Sequence, residues 1–143
     1  MPNKTLYIAR HAKSSWDDMT LSDFERPLNK RGERDAPFMA QLLKAKSIQA
    51  DLILSSPANR AMTTAKFYHE TLGGELRFDE RIYEATAMGL FYLAQEMFEK
   101  YNSVMIVGHN PGLTELNDML CDSAIYNIPT AAVIGIEFLT DVA

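Results

Sequence analysis

The chain has 143 residues, 47% of them hydrophobic and 23% charged, with a formal net charge of −5. That length predicts one domain spanning 1–143 with a real core, and its single cysteine, Cys121, excludes an internal disulfide and reads as a small buried hydrophobe. An acidic balance without a Lys/Arg cluster argues against nucleic acid as a partner, and the absence of a signal-like start or a long apolar run argues against a membrane and for a cytoplasmic protein.

The first predicted strand is Lys4 to Arg10, built on the apolar run Thr5-Leu6-Tyr7-Ile8-Ala9. A polar stretch from Lys13 to Leu28 follows, long enough for a functional loop. Asn29 reads as the cap of a helix with Met39, Leu42 and Leu43 on one face, and Pro37 should kink or shorten it. Asp51 to Ser55 is a short apolar strand. Ser56 then reads as a helix cap with Pro57 at the first helical position, and the helix runs to Leu72, where Gly73-Gly74 stops it. Glu75 to Phe78 is a weak edge strand, and Met88 to Tyr101 a helix rich in Met and aromatic residues. Ser103 to Gly108 is the expected central strand, Pro111 to Cys121 a helix, and Ala131 to Leu139 the closing strand. This alternation predicts a three-layer αβα sandwich around a mostly parallel sheet.

Two histidines leave the carboxyl ends of predicted strands: His11 in Arg10-His11-Ala12, and His109 in Gly108-His109-Asn110-Pro111. Ligands of open α/β sheets collect at such ends, so the two can meet in one pocket. His11 is the candidate nucleophile, because neutral imidazole attacks phosphorus and splits one hard transfer into two easier ones. Neighbouring arginines favour its neutral form. Arg10 and Arg60 are the candidate phosphate clamp, since guanidinium groups bind phosphate bidentately and stay charged. Arg60 falls in the first turns of a helix, where partial positive charge adds to its own. Arg26, on the long loop, is either a third phosphate contact or a surface ion pair with Asp23 or Glu25.

His109 can stabilise charge on phosphoryl oxygens, with Gly108 allowing close backbone approach. Glu84 is a candidate general acid or an ordinary loop carboxylate. His69 is assigned to the surface, and Trp16 and Tyr7 to packing. No group of side chains reads as a metal site. No Gly-rich loop ends in Gly-Lys-Ser/Thr. Neither a metal nor a cofactor is expected.

Together these residues resemble the histidine phosphatase superfamily, with its phosphoglycerate mutase-like fold. Arg10-His11 is similar to its Arg-His-Gly signature, with Ala12 in the place of the usual glycine and expected to crowd the loop slightly. Arg60, in a Ser-Pro-x-x-Arg-Ala-x-x-Thr-Ala pattern, resembles its second arginine, and Gly108-His109 its second histidine. Arg26-Pro27-Leu28-Asn29-Lys30-Arg31-Gly32, Gly-His-Asn-Pro and the small size look like the compact SixA-type phosphohistidine phosphatases.

The resemblance implies His11, His109, Arg10, Arg60 and Glu84 as catalytic. It implies Arg10, Arg26, Arg60 and His109 as phosphate-binding. It also implies a pocket without a large lid insertion. The expected activity is a metal-independent phosphatase with a phosphohistidine intermediate, acting on a phosphorylated protein (phosphohistidine). The alternatives are a phosphatase for a small phosphate ester and a non-catalytic phospho-ligand binding module.

Overall fold

The computed structural model describes residues 3–121 and 127–138. Its elements run β1 (Lys4–Arg10), a 3-10 turn (Asp23–Glu25), α1 (Lys30–Ala45), β2 (Leu52–Ser55), α2 (Asn59–Leu72) and β3 (Glu75–Phe78). A second 3-10 turn (Glu80–Ile82), α3 (Ala87–Phe98), β4 (Ser103–Gly108), α4 (Gly112–Leu120) and β5 (Val133–Phe138) follow. The five strands form one sheet in the order β3-β2-β4-β1-β5. All neighbours pair in parallel except β5, which lies antiparallel on β1.

The central strands are apolar throughout, as strands covered on both faces must be. Every residue of β2 is buried, as are the last five of β4. On one face, Leu6, Ile8, Leu54, Val104 and Ile106 pack with Leu93 and Leu113 of α3 and α4. On the other, Ile53, Met105 and Val107 pack with Ala40 and Leu43 of α1 and Tyr68 of α2. The chain leaves β1 for a helix on one face and leaves β4 for a helix on the other. These adjacent strands are therefore the topological switch point of the sheet, where open α/β folds form their crevice.

Local details correct several expectations. Asn29 caps α1, its side chain accepting the Gly32 N–H at 2.8 Å. The buried face of that helix is Gly32, Ala36, Ala40 and Leu43, with Met39 partly covered and Leu42 exposed. Small residues at i, i+4 and i+8 let α1 lie close to its neighbours, which leaves Leu42 outside the stripe. The helix continues through Pro37 for 16 residues. α2 begins at Asn59 rather than beside Pro57, although the Ser56 hydroxyl does accept the Ala58 N–H, and the same hydroxyl meets His109. Gly73, at φ 78°, ends it as expected. α3 starts one residue before Met88, with Thr86 as its cap, and stops at Phe98. β5 is shorter than expected at its start, and Leu139 lies outside the described residues. Trp16 is 67% exposed and so is no packing group. Cys121 and His69 are half-buried rather than fully inside or outside.

Candidate active site

Parallel pairing of β1 with β4 sets Arg10 opposite Gly108, so the two following histidines emerge side by side. Their ring centroids are 5.2 Å apart. The main chain at His11 is held from two sides. Its N–H donates to the Gly108 carbonyl at 3.1 Å, and its carbonyl accepts the Ala131 N–H at 3.1 Å. Next to it, Ala12 N–H donates to Thr64 Oγ1 at 3.0 Å, and that hydroxyl donates to the Arg60 carbonyl at 2.8 Å. Thr64 therefore ties the loop that carries His11 to the helix that carries Arg60. The methyl of Ala12 is fully buried in a cluster with Leu28, Ala36 and Ala131, so it fills space rather than crowding the loop.

The side chain of His11 is arranged as a nucleophile. Its Nδ1 lies 2.7 Å from the Ala12 carbonyl, which can only accept, so the proton sits on Nδ1 and the Nε2 lone pair is free. Burial, reinforced by Arg60, Arg10 and Arg26, lowers its pKa to about 4, so the ring is neutral at pH 7. His109 is lowered to about 3, first by burial and then by Arg60 and His11.

Ser56 follows β2, the strand beside β4, and its Oγ lies 2.8 Å from His109 Nε2. The same oxygen accepts the Ala58 N–H at 3.2 Å. Among the described residues the buried Ser56 hydroxyl has no other acceptor for its proton, so it donates to Nε2, which places the His109 proton on Nδ1. That nitrogen is buried and has no partner among the described residues. It is a donor available to a phosphoryl oxygen.

Two adjoining cavities meet over Arg60 and His109. The smaller, of about 220 Å³, is lined by Arg10, His11, Lys13, Arg26, Arg60 and His109 among others. It is the cationic hole expected from the sequence. Arg26 is not a surface residue. It is 7% exposed, donates to Ser14 Oγ at 2.7 Å and pairs with Asp23 at 3.2 Å, with its guanidinium 3.5 Å over the Trp16 ring. The ion pair with Asp23 is therefore present, though with Arg26 buried rather than on the surface, and Arg26 also lines the smaller cavity. The larger cavity, of about 480 Å³, has Glu84 on its wall. Glu84 is exposed, at φ 57°. Gly108 also makes room within the protein, since a Cβ there would meet the Ile82 side chain at 2.9 Å.

Asp23 was visible in the sequence only as an ion-pair partner of Arg26, yet it joins three parts of the site. Its carboxylate takes the Tyr83 hydroxyl at 2.6 Å, Arg60 at 3.0 Å and Arg26 at 3.2 Å. The Tyr83 hydrogen bond, with help from both arginines, holds its pKa at about 2. The position three residues before Arg26 carried a signal that the loop could fold back on its own arginine. Nothing in the sequence linked it to Arg60 or Tyr83.

Comparison with known proteins matches this geometry. Residues 6–111 fit the profile of the histidine phosphatase superfamily (branch 1). An uncharacterized chloroplastic protein of Arabidopsis thaliana is 36% identical over 86% of this chain, which spans 62% of that protein's length. An uncharacterized protein of Mycobacterium tuberculosis is 30% identical, covering 92% of this chain and 81% of its own. A candidate phosphohistidine phosphatase SixA from Agrobacterium tumefaciens superposes with a TM-score of 0.87 at 27% identity, covering 94% of this chain and 91% of its own. The protein histidine phosphatase SixA complexed with tungstate superposes with a TM-score of 0.80 at 26% identity, covering 92% of this chain and 86% of its own.

Proposed function

The chain belongs to the histidine phosphatase superfamily, and from that premise we propose that it is a metal-independent phosphatase that passes a phosphoryl group through Nε2 of His11, with protein phosphohistidine as its substrate. The observation that carries this reading is the free, neutral Nε2 of His11 in a cavity walled by three arginines. Nε2 attacks phosphorus, an N–P bond forms, and the bond to the leaving group breaks with its electron pair going to that group. Water then attacks the phosphoryl-histidine, the N–P bond breaks, and phosphate departs. Arg10, Arg26, Arg60 and His109 Nδ1–H hold the phosphoryl oxygens while charge shifts across them. The phosphohistidine substrate is supported by the likeness to SixA proteins and by the absence of a large insertion over the pocket.

A second reading, a small phosphate ester, is favoured by Glu84 on the wall of the larger cavity. There it would donate a proton to a departing alkoxide. Rapid quench with ³²P-labelled substrate tests the mechanism: an acid-labile, base-stable phosphoenzyme is expected, lost together with turnover in His11→Ala. Full activity in that variant would overturn it. Glu84→Gln separates the two substrate classes. It should cost alkyl phosphates about a hundredfold and spare nitrophenyl phosphate if Glu84 is the acid.

A further inference from the structure

The two cavities that meet over Arg60 and His109 carry opposite charge. The hole with His11 has four cationic side chains on its wall and no carboxylate among the residues described there. Its neighbour is lined by Asp23, Glu84 and Glu115, and its one cationic side chain is Arg60, already paired with Asp23 at 3.0 Å. Glu84 and Glu115 are both exposed, and Glu115 stands in the first turn of α4. The two cavities share Arg60, His109 and Asn110, so a substrate with its phosphoryl group in the first can extend into the second. A volume of about 480 Å³ takes an imidazole or phenyl ring with its attachment.

We propose that this second cavity is the leaving-group subsite and that Glu84 and Glu115 make it select neutral or cationic leaving groups over those that carry a further negative charge. The inference rests on the phosphatase reading above and names the substrate class of that same site. The phosphoryl dianion is attracted by the arginines, so the molecule accepts one anionic group and its second wall repels another. A phosphorylated histidine fits, because its ring gains positive charge as it is protonated to leave. Substrates with a carboxylate or a second phosphate beside the scissile bond do not fit.

A matched pair of aryl phosphates tests this: 4-(aminomethyl)phenyl phosphate, cationic at pH 7, and 4-carboxyphenyl phosphate, with phenyl phosphate as the neutral reference. At low salt the cationic substrate should have the higher kcat/KM, by about fivefold for each carboxylate that faces it. Raising the salt to 0.5 M should bring the ratio towards one. Glu115→Gln should reduce the ratio and Glu115→Lys should reverse it, with the Gln variant deciding the matter if the Lys variant does not fold. A role for Glu115 confined to stabilising α4 would move neither the ratio nor its salt dependence. Turnover of all three with a ratio of one, insensitive to salt and to Glu115→Gln, would overturn the subsite while leaving the phosphatase reading intact. No turnover of any of the three would also overturn the subsite, which should accept a phenyl ring, and would leave the phosphatase reading to the phosphoenzyme assay.

Discussion

At the scale of single residues, the site depends on which nitrogen of each imidazole holds the proton. For His11 a backbone carbonyl decides, since it cannot donate. For His109 the deciding group is the Ser56 hydroxyl, fully buried and bonded on its other side to Ala58 N–H. Ser56→Ala should release the His109 tautomer and lower kcat by up to about tenfold, the value of one hydrogen bond, with little change in KM. Ser56→Thr should restore the rate, because it keeps the hydroxyl. Ring-nitrogen NMR checks the cause directly: the His109 Nδ1–H signature should weaken in Ser56→Ala and return in Ser56→Thr. In the same spectra the midpoints of His11 and His109 belong near 4 and 3 in the free enzyme, well under the ordinary imidazole value. A full rate and an unchanged tautomer in Ser56→Ala would reduce Ser56 to packing.

At the scale of elements, the loop over residues 13–28 is held at its base. Asn29 N–H donates to the Lys13 carbonyl at 2.9 Å, Ser15 N–H donates to the Pro27 carbonyl at 2.8 Å, and Gly32 of α1 lies directly against Lys13. A Cβ at Gly32 would come within 2.1 Å of the Lys13 carbonyl oxygen, so backbone would have to move. Gly32→Ala should therefore cost about 1–3 kcal/mol in urea unfolding and lower kcat as well, because the strand leading to His11 is displaced with Lys13. Gln41→Ala, on the exposed side of the same helix, should stay within about 0.5 kcal/mol. If the two variants behave alike, the loop base is pliable and the loop is positioned by Arg26 and Asp23 alone. These elements also mark where sequence reading succeeds. β1 and β4 were legible because a strand covered on both faces must be apolar along its length, and that pattern is local. At the start of α2, Ser56 makes the local bond to Ala58 N–H while the helix begins only at Asn59, and its second partner, His109, 53 residues away, left no local signal. Asp23 was missed for the same reason, since its partner Tyr83 lies 60 residues on. Trp16 was misjudged because its ring partner, Arg26, is charged and belongs to the pocket rather than the core.

At the scale of the whole molecule, the cationic hole draws on both faces of the sheet. Arg10 ends β1 and His11 follows it, Arg60 belongs to α2 on one side, His109 leads into α4 on the other, and Arg26 comes from the loop. The arginines among them crowd one another in the folded chain. An oxyanion in this pocket should therefore relieve repulsion among groups from every layer and stabilise the fold as a whole. Tungstate or vanadate at a hundred times its dissociation constant should add about 2.7 kcal/mol, which for a domain of this size is a rise of roughly 5–10 °C in Tm. The single tryptophan, Trp16, lies over Arg26, so its emission should change in the same titration and report occupancy of the hole independently of unfolding. Arg60→Ala should lose most of the thermal shift. The shift should persist in EDTA, because the counter-charges here are side chains. A shift that disappears with EDTA and returns with one divalent ion would mean that a metal, rather than the arginines, binds the anion, and the metal-independent mechanism would fall with it.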